Sequence, residues 1–173
     1  MSNWRPSQAD DSPLAANYGT RMEKGSRNAR GRRVAIVAAE FNDAIVAQLL
    51  EGAVAAWLKH GGLAEELLVV RVPGAFELPV AVLQLARSKN YEAVVALGCV
   101  IRGDTPHFEY VAGECARGLQ QVACETGVPV VFGVLTVESQ AQAAERASLL
   151  QMNKGGEAME VALEMADLTA KLR

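Results

Sequence analysis

Four short apolar runs, each followed by a stretch with helical periodicity, constrain this chain more than anything else in its sequence. Val34–Ala38, Leu67–Val72, Ala93–Ile101 and Val128–Leu135 are apolar nearly throughout, as strands covered on both faces are. After the first run, Ile45, Leu49, Ala53 and Trp57 recur at four-residue spacing with Val46, Leu50 and Val54 beside them, which predicts a helix with a broad apolar face ending at Gly61-Gly62. The same reading predicts helices over about Phe76–Lys89 and Phe108–Thr126, the latter stopped by Gly127 and Pro129. Two closing helices are predicted over about Gln140–Leu149 and Gly155–Leu172, with Ser139 and Gln142 fitting a capping box at the first.

Strands that alternate with helices must pair in parallel through right-handed crossovers. The predicted fold class is therefore α/β, a three-layer α/β/α sandwich around a parallel, flavodoxin-like sheet. A chain of 173 residues holds one such domain. Residues 1–32 are polar and aperiodic, and read as a tail disordered in isolation, with a segment free to pair with a neighbour. Residues 33–173 form the expected domain. Aromatic residues make up only 5% of the chain, so aliphatic side chains must fill the core.

Composition also excludes some functions. The net charge is −3 with no long basic run, which argues against nucleic-acid binding. Cys99, Cys115 and Cys124 are odd in number and lack CxxC spacing, which speaks against a metal site or disulfide framework and for a reducing cytoplasm. No signal-peptide core and no membrane-length apolar run is present, so the expectation is a soluble, intracellular protein.

In open parallel sheets, ligands bind beyond the carboxyl ends of the strands. Four loops follow those ends. The richest runs from Gly98 to Phe108. There Thr105 is a good helix cap, Pro106 suits a first helical position, and the helix start offers free N–H groups to an anion such as phosphate. His107 sits in that first turn, either as a proton carrier or as a packing and capping residue. In Pro73-Gly74-Ala75-Phe76-Glu77, Glu77 either opens a helix or accepts hydrogen bonds from ligand hydroxyls. Phe41, in an otherwise polar loop, either packs or stacks on a flat heteroaromatic ring, and Asn42 beside it can cap the next helix. Phe132, inside a strand run, reads as core by default. Arg146 is either a solvated helix charge or a guanidinium clamp on phosphate, and Lys154 either adds charge or is simply exposed.

Taken in order, these segments resemble the lumazine synthase family. The matching pieces are Glu40-Phe41-Asn42, Val72 to Pro79, Gly98 to Tyr110, Pro129 to Thr136, Gln142 to Ala147, and Asn153-Lys154-Gly155. The resemblance implies condensation of 5-amino-6-(D-ribitylamino)uracil with 3,4-dihydroxy-2-butanone 4-phosphate to 6,7-dimethyl-8-ribityllumazine, with loss of phosphate and water, and no metal or redox cofactor. It implies a role for each matching residue. Phe41 stacks on the pyrimidine. Ala75, Phe76 and Glu77 line the ribityl chain, and Cys99, Val100 and Ile101 give backbone contacts to the heterocycle. Asp104 and Thr105 frame the phosphate, and His107 shuttles protons. Phe132 and Arg146 come from the adjacent subunit of a homopentamer, so a monomer is expected to be inactive.

One segment departs from the family pattern. Many members carry a glycine-rich stretch with a lysine before Asn-Lys-Gly, where this chain has Ala147-Ser148-Leu149-Leu150-Gln151-Met152. Leu150 stands at the lysine position. The region influences whether the family's pentamers assemble into larger shells, and the expectation here is a free pentamer. Two other readings are a non-catalytic paralogue that binds flavin or lumazine or acts as a scaffold, and a generic mononucleotide-binding domain, which predicts a monomer.

Overall fold

All six residues of strand β1 (Val34–Ala39) are buried, because the sheet is covered on both faces. The computed structural model describes Gly19 and residues 21–173. Strands β1, β2 (Leu67–Val72), β3 (Ala93–Ile101) and β4 (Val130–Val137) form one four-stranded sheet in the order β2-β1-β3-β4. Every pairing is parallel. The five helices are α1 (Asp43–Lys59), α2 (Leu78–Arg87), α3 (His107–Thr126), α4 (Gln140–Ala147) and α5 (Lys154–Lys171). Short 3-10 turns at Ala64–Glu66 and Ala75–Glu77 precede β2 and α2.

Two cores flank the sheet. On one face Ile36, Ala38, Val95 and Leu97 meet Leu49 and Trp57 of α1 and Met159 and Leu163 of α5. On the other, Val37, Val94 and Ala96 meet Leu78 and Val82 of α2 and Cys115 and Leu119 of α3. Successive strand residues thus face opposite helix layers, which is the three-layer α/β/α, flavodoxin-like arrangement the alternation predicts. No helix among the described residues is long and apolar enough to cross a membrane.

Three local expectations shift. Asn42 occupies the N-cap position of α1 with φ 60°, but its side chain makes no cap bond and instead donates to the Cys99 carbonyl at 2.9 Å. At α3 the cap position falls on Pro106 rather than Thr105, and the first helical residue is His107. At α4, Ser139 accepts from the Gln142 N–H at 3.3 Å, while the Gln142 side chain accepts from the Glu138 N–H at 3.0 Å.

Helices α1 and α5 approach closely because glycine leaves them room. A Cβ on Gly155 would lie 1.9 Å from the Leu49 carbonyl oxygen, and one on Gly52 would lie 2.2 Å from Asn153 Oδ1. That same Asn153 oxygen caps α5, accepting from the Gly156 N–H at 3.1 Å.

The expected tail falls partly outside the described residues, at 1–18 and 20. Residues 24–32 run along α5, held by charge. Arg27 reaches Glu160 at 2.6 Å and Glu164 at 3.3 Å. Arg32 reaches Asp167 at 2.5 Å and Glu92 at 2.6 Å. Ala29 is fully buried. A composition without hydrophobic period hid this strap, since ion pairs rather than apolar burial hold most of it.

Asp167 is the hub of the strap, accepting from the Ser26 N–H at 2.7 Å and from Lys171 at 2.9 Å as well as from Arg32. Burial opposes its ionisation, but the hydrogen bonds from Lys171 and Ser26 outweigh burial and hold its pKa below the ordinary aspartate value. A depressed folded-state pKa stabilises the fold above the unfolded value, and that stabilisation is lost as pH falls through the folded value. Asp167→Asn is therefore expected to cost about 1–3 kcal/mol at neutral pH. It should also flatten the loss of stability below about pH 4. Urea unfolding across pH checks this; an unchanged acid limb would refute the assignment.

Candidate active site

The loops at the carboxyl ends of β1, β2 and β3 enclose a groove of about 730 Å³. Phe41, from the β1 loop, stands at its mouth with 72% of its surface exposed. A large aromatic so exposed contributes little to the core and presents a stacking platform. The β2 loop contributes Ala75, Phe76 and Glu77. Gly74 makes space for the acid, as a Cβ there would lie 3.1 Å from Glu77 Oε2. From β3 and its loop come Cys99, Val100, Ile101 and Thr105, and α3 supplies His107.

Strand register explains what β3 offers. Its pairing with β1 stops at Leu97, whereas its pairing with β4 continues to Ile101. Beyond Leu97 the β1-side edge of β3 is therefore open to the groove. The Cys99 carbonyl points that way and is taken by Asn42, while the Arg102 N–H points the other way, to the Val137 carbonyl at 2.9 Å. Alternation along the strand turns the N–H and C=O of Ile101 toward the groove, a donor–acceptor pair suited to the edge of a cyclic diamide. Burial pushes the Cys99 thiol up to about 11, so its sulfur is protonated at neutral pH and is no nucleophile.

Helix α3 opens at His107, and its first turn leaves backbone N–H groups without helical partners beside the exposed imidazole. Thr105 lines the same end. Asp104 is exposed on the intervening loop and does not line the groove.

Phe132 and Arg146 lie elsewhere. They line a second groove, of about 470 Å³, along β4, α4 and α5. Phe132 sits on β4 but is 43% exposed, which departs from the core placement its strand context predicts. The outer edge of β4 is unpaired, so its residues have no further strand to pack beside. Arg146 donates to the Gln142 carbonyl at 3.1 Å and stands 3.7 Å from Glu145, leaving most of its guanidinium unengaged. Lys154 lines this groove too, paired with Glu157 at 2.6 Å. Leu150 is 97% exposed on the turn between α4 and α5.

A third hollow, of about 590 Å³, lies at the opposite end of the sheet among Tyr91, Glu125, Val128 and Arg173. It is away from the strand carboxyl ends and shares no lining residue with the first two grooves.

One cluster escaped the sequence reading. The Arg102 guanidinium pairs with Glu109 and with Glu138, the latter at 2.8 Å, and stacks over the Phe108 ring at 4.2 Å. The hydrogen bond from Arg102 holds the Glu109 carboxyl below its usual pKa. Tyr110 and Val111, one helical turn beyond His107, also line the first groove. Their spacing on α3 was the available signal for them.

The model of the 6,7-dimethyl-8-ribityllumazine synthase family matches residues 31–170, which include every loop of both grooves. With a match over most of its length, this chain belongs to the 6,7-dimethyl-8-ribityllumazine synthase family, an enzyme family of riboflavin biosynthesis.

Proposed function

We propose that this chain is an active lumazine synthase, a transferase that condenses 5-amino-6-(D-ribitylamino)uracil with 3,4-dihydroxy-2-butanone 4-phosphate and releases phosphate and water. Its residues divide the work. Phe41 stacks on the pyrimidine, and Ile101 meets the heterocycle edge with its backbone. Cys99 and Val100 shape that wall, and Ala75, Phe76 and Glu77 follow the ribityl chain, with the carboxylate accepting hydroxyl protons. Thr105 and the first turn of α3 receive the phosphate, with Asp104 on the exposed loop beside them.

His107 moves protons as the amine adds to the ketone, as the phosphate leaves and as the second ring closes. The two substrates react with each other readily, so holding them aligned supplies much of the rate. No metal or redox cofactor enters this scheme. The free cysteines, two of them buried, suit a cytoplasmic enzyme.

One observation carries the proposal. The residues assigned to the reaction lie in two different grooves of one chain, with Phe132 and Arg146 on the side bounded by the unpaired β4 edge. A ring of identical subunits resolves the separation, because a heterologous interface sets the second groove of one protomer against the first groove of the next. We favour a free homopentamer as the working form.

Arg146→Ala is expected to raise the Michaelis constant for the butanone phosphate about 10- to 100-fold, the worth of a charge-assisted hydrogen bond. Mixing His107→Ala and Arg146→Ala subunits tests the shared site. Random assembly leaves about one quarter of sites with neither lesion. At low phosphate substrate, activity should recover toward that fraction. Absence of recovery in a mixed oligomer would place both residues in one subunit's site. Tight binding of the lumazine product without turnover by the wild-type protein would instead establish a binding or scaffold role.

A further inference from the structure

We infer that Arg102 is a positioning residue for His107, locking the loop that carries the imidazole to the turn that begins the Arg146 helix. The inference rests on the proposed synthase activity. The segment from Gly103 to Pro106 is exposed throughout, and a Cβ on Gly103 would touch nothing within 4 Å. Packing therefore does not fix the approach to His107. Arg102 does so from both sides. Its backbone N–H is tied to the Val137 carbonyl at the end of β4. Its guanidinium then reaches the two residues after His107, stacking on Phe108 and pairing with Glu109 in the first turn of α3.

The other prong, Nε, meets Glu138 at 2.8 Å. Glu138 precedes the Ser139 cap and is itself bonded to Gln142 of α4. One planar cation thus spans β3, α3 and the start of α4. Only a guanidinium can stack on a ring and fork to two carboxylates at once. These pairs are exposed, so their contribution to global stability is small. Their value lies in aim, since a displacement of about 1 Å at a reacting group can cost 10²-fold in rate.

The test is a kinetic double-mutant cycle. Arg102→Met is expected to lower kcat about 30- to 100-fold, with thermal midpoint and oligomer size close to wild type. Arg102→Lys, which keeps charge without the fork, should recover only part of this. In the His107→Ala background, Arg102→Met should cost less than about threefold, because a residue that acts through the imidazole has nothing left to aim. Glu138→Gln, which removes one prong, should show the same dependence on His107 and serves if Arg102→Met fails to assemble.

Equal losses in both backgrounds would overturn the inference while leaving the synthase reading intact. A wild-type protein that forms no lumazine would defeat that reading first, and the inference with it.

Discussion

His107→Ala should slow lumazine formation about 10²-fold while leaving turnover measurably above the uncatalysed reaction in buffer. Acid–base help from one positioned group is typically worth about 10²–10⁴-fold. The lower end follows from the proposed scheme, in which alignment supplies much of the rate and the substitution leaves it untouched. The groove walls at Phe41, Glu77 and Ile101 keep their places, as the His107 side chain is exposed at the edge of the groove rather than packed beneath them. The Michaelis constants for both substrates should therefore change little, so that kcat and kcat/KM fall together. Steady-state assay of lumazine fluorescence and of released phosphate measures both. Activity reduced to the buffer rate would mean that the imidazole also holds substrate, and activity near wild type would remove it from the proton path.

The largest expected effect on stability comes from Gly155→Ala. On an exposed helix, replacing glycine by alanine stabilises by up to about 1 kcal/mol. Here the new methyl would meet the Leu49 carbonyl at 1.9 Å, a backbone atom of α1 that cannot rotate aside. The two helices must separate, and overpacking of this kind costs about 1–3 kcal/mol, occasionally more. The loss should be at the upper end, about 3 kcal/mol, because α1 also holds Leu49 and Trp57 in the core against the sheet. Gly103→Ala, with open space around it, is the control and should move stability by less than about 0.5 kcal/mol. Denaturant unfolding of the two variants compares them directly. Equal stabilities would show that the α1–α5 approach is slack.

The Asn153-Lys154-Gly155 segment illustrates where the sequence is readable and where it is not. As a string it marks a break between helices, and its order matches the family. Nothing local reveals that Gly155 faces Leu49, about a hundred residues earlier in the chain, because close approach is a property of two helices rather than of either. The strands were legible because each is a short run apolar nearly throughout, Arg71 in β2 being the charged exception. The helices were legible because their apolar residues recur with the turn. Boundaries drifted by one or two residues where caps compete, as at Thr105 and Pro106.

At the site, the loops following β1, β2 and β3 were identified by sheet topology alone, and the structure gathers Phe41, Glu77, Ile101 and His107 around one groove. Arg102 was not legible as a site residue. Its partners stand at positions 108, 109 and 138, and only folding brings a carboxylate from the β4 turn beside one in α3. Asn42 misled for a related reason. Its type suits a cap, but the Cys99 carbonyl on the open edge of β3 takes its amide instead.

The strap formed by residues 24–32 has a consequence for where the folding unit starts. Glu160, Glu164 and Asp167 recur at one-turn intervals on α5, so each carboxylate faces its neighbour. Arg27 and Arg32, together with Lys171 and His60, offset that row. A chain trimmed to the family boundary at residue 31 would keep Arg32 but lose Arg27, the cation that bridges Glu160 and Glu164, leaving His60 at 3.1 Å as the contact of Glu160 on the helix that lines the Arg146 groove. Homology and physics thus draw the amino-terminal border in different places, and the shorter version would fray first at α5.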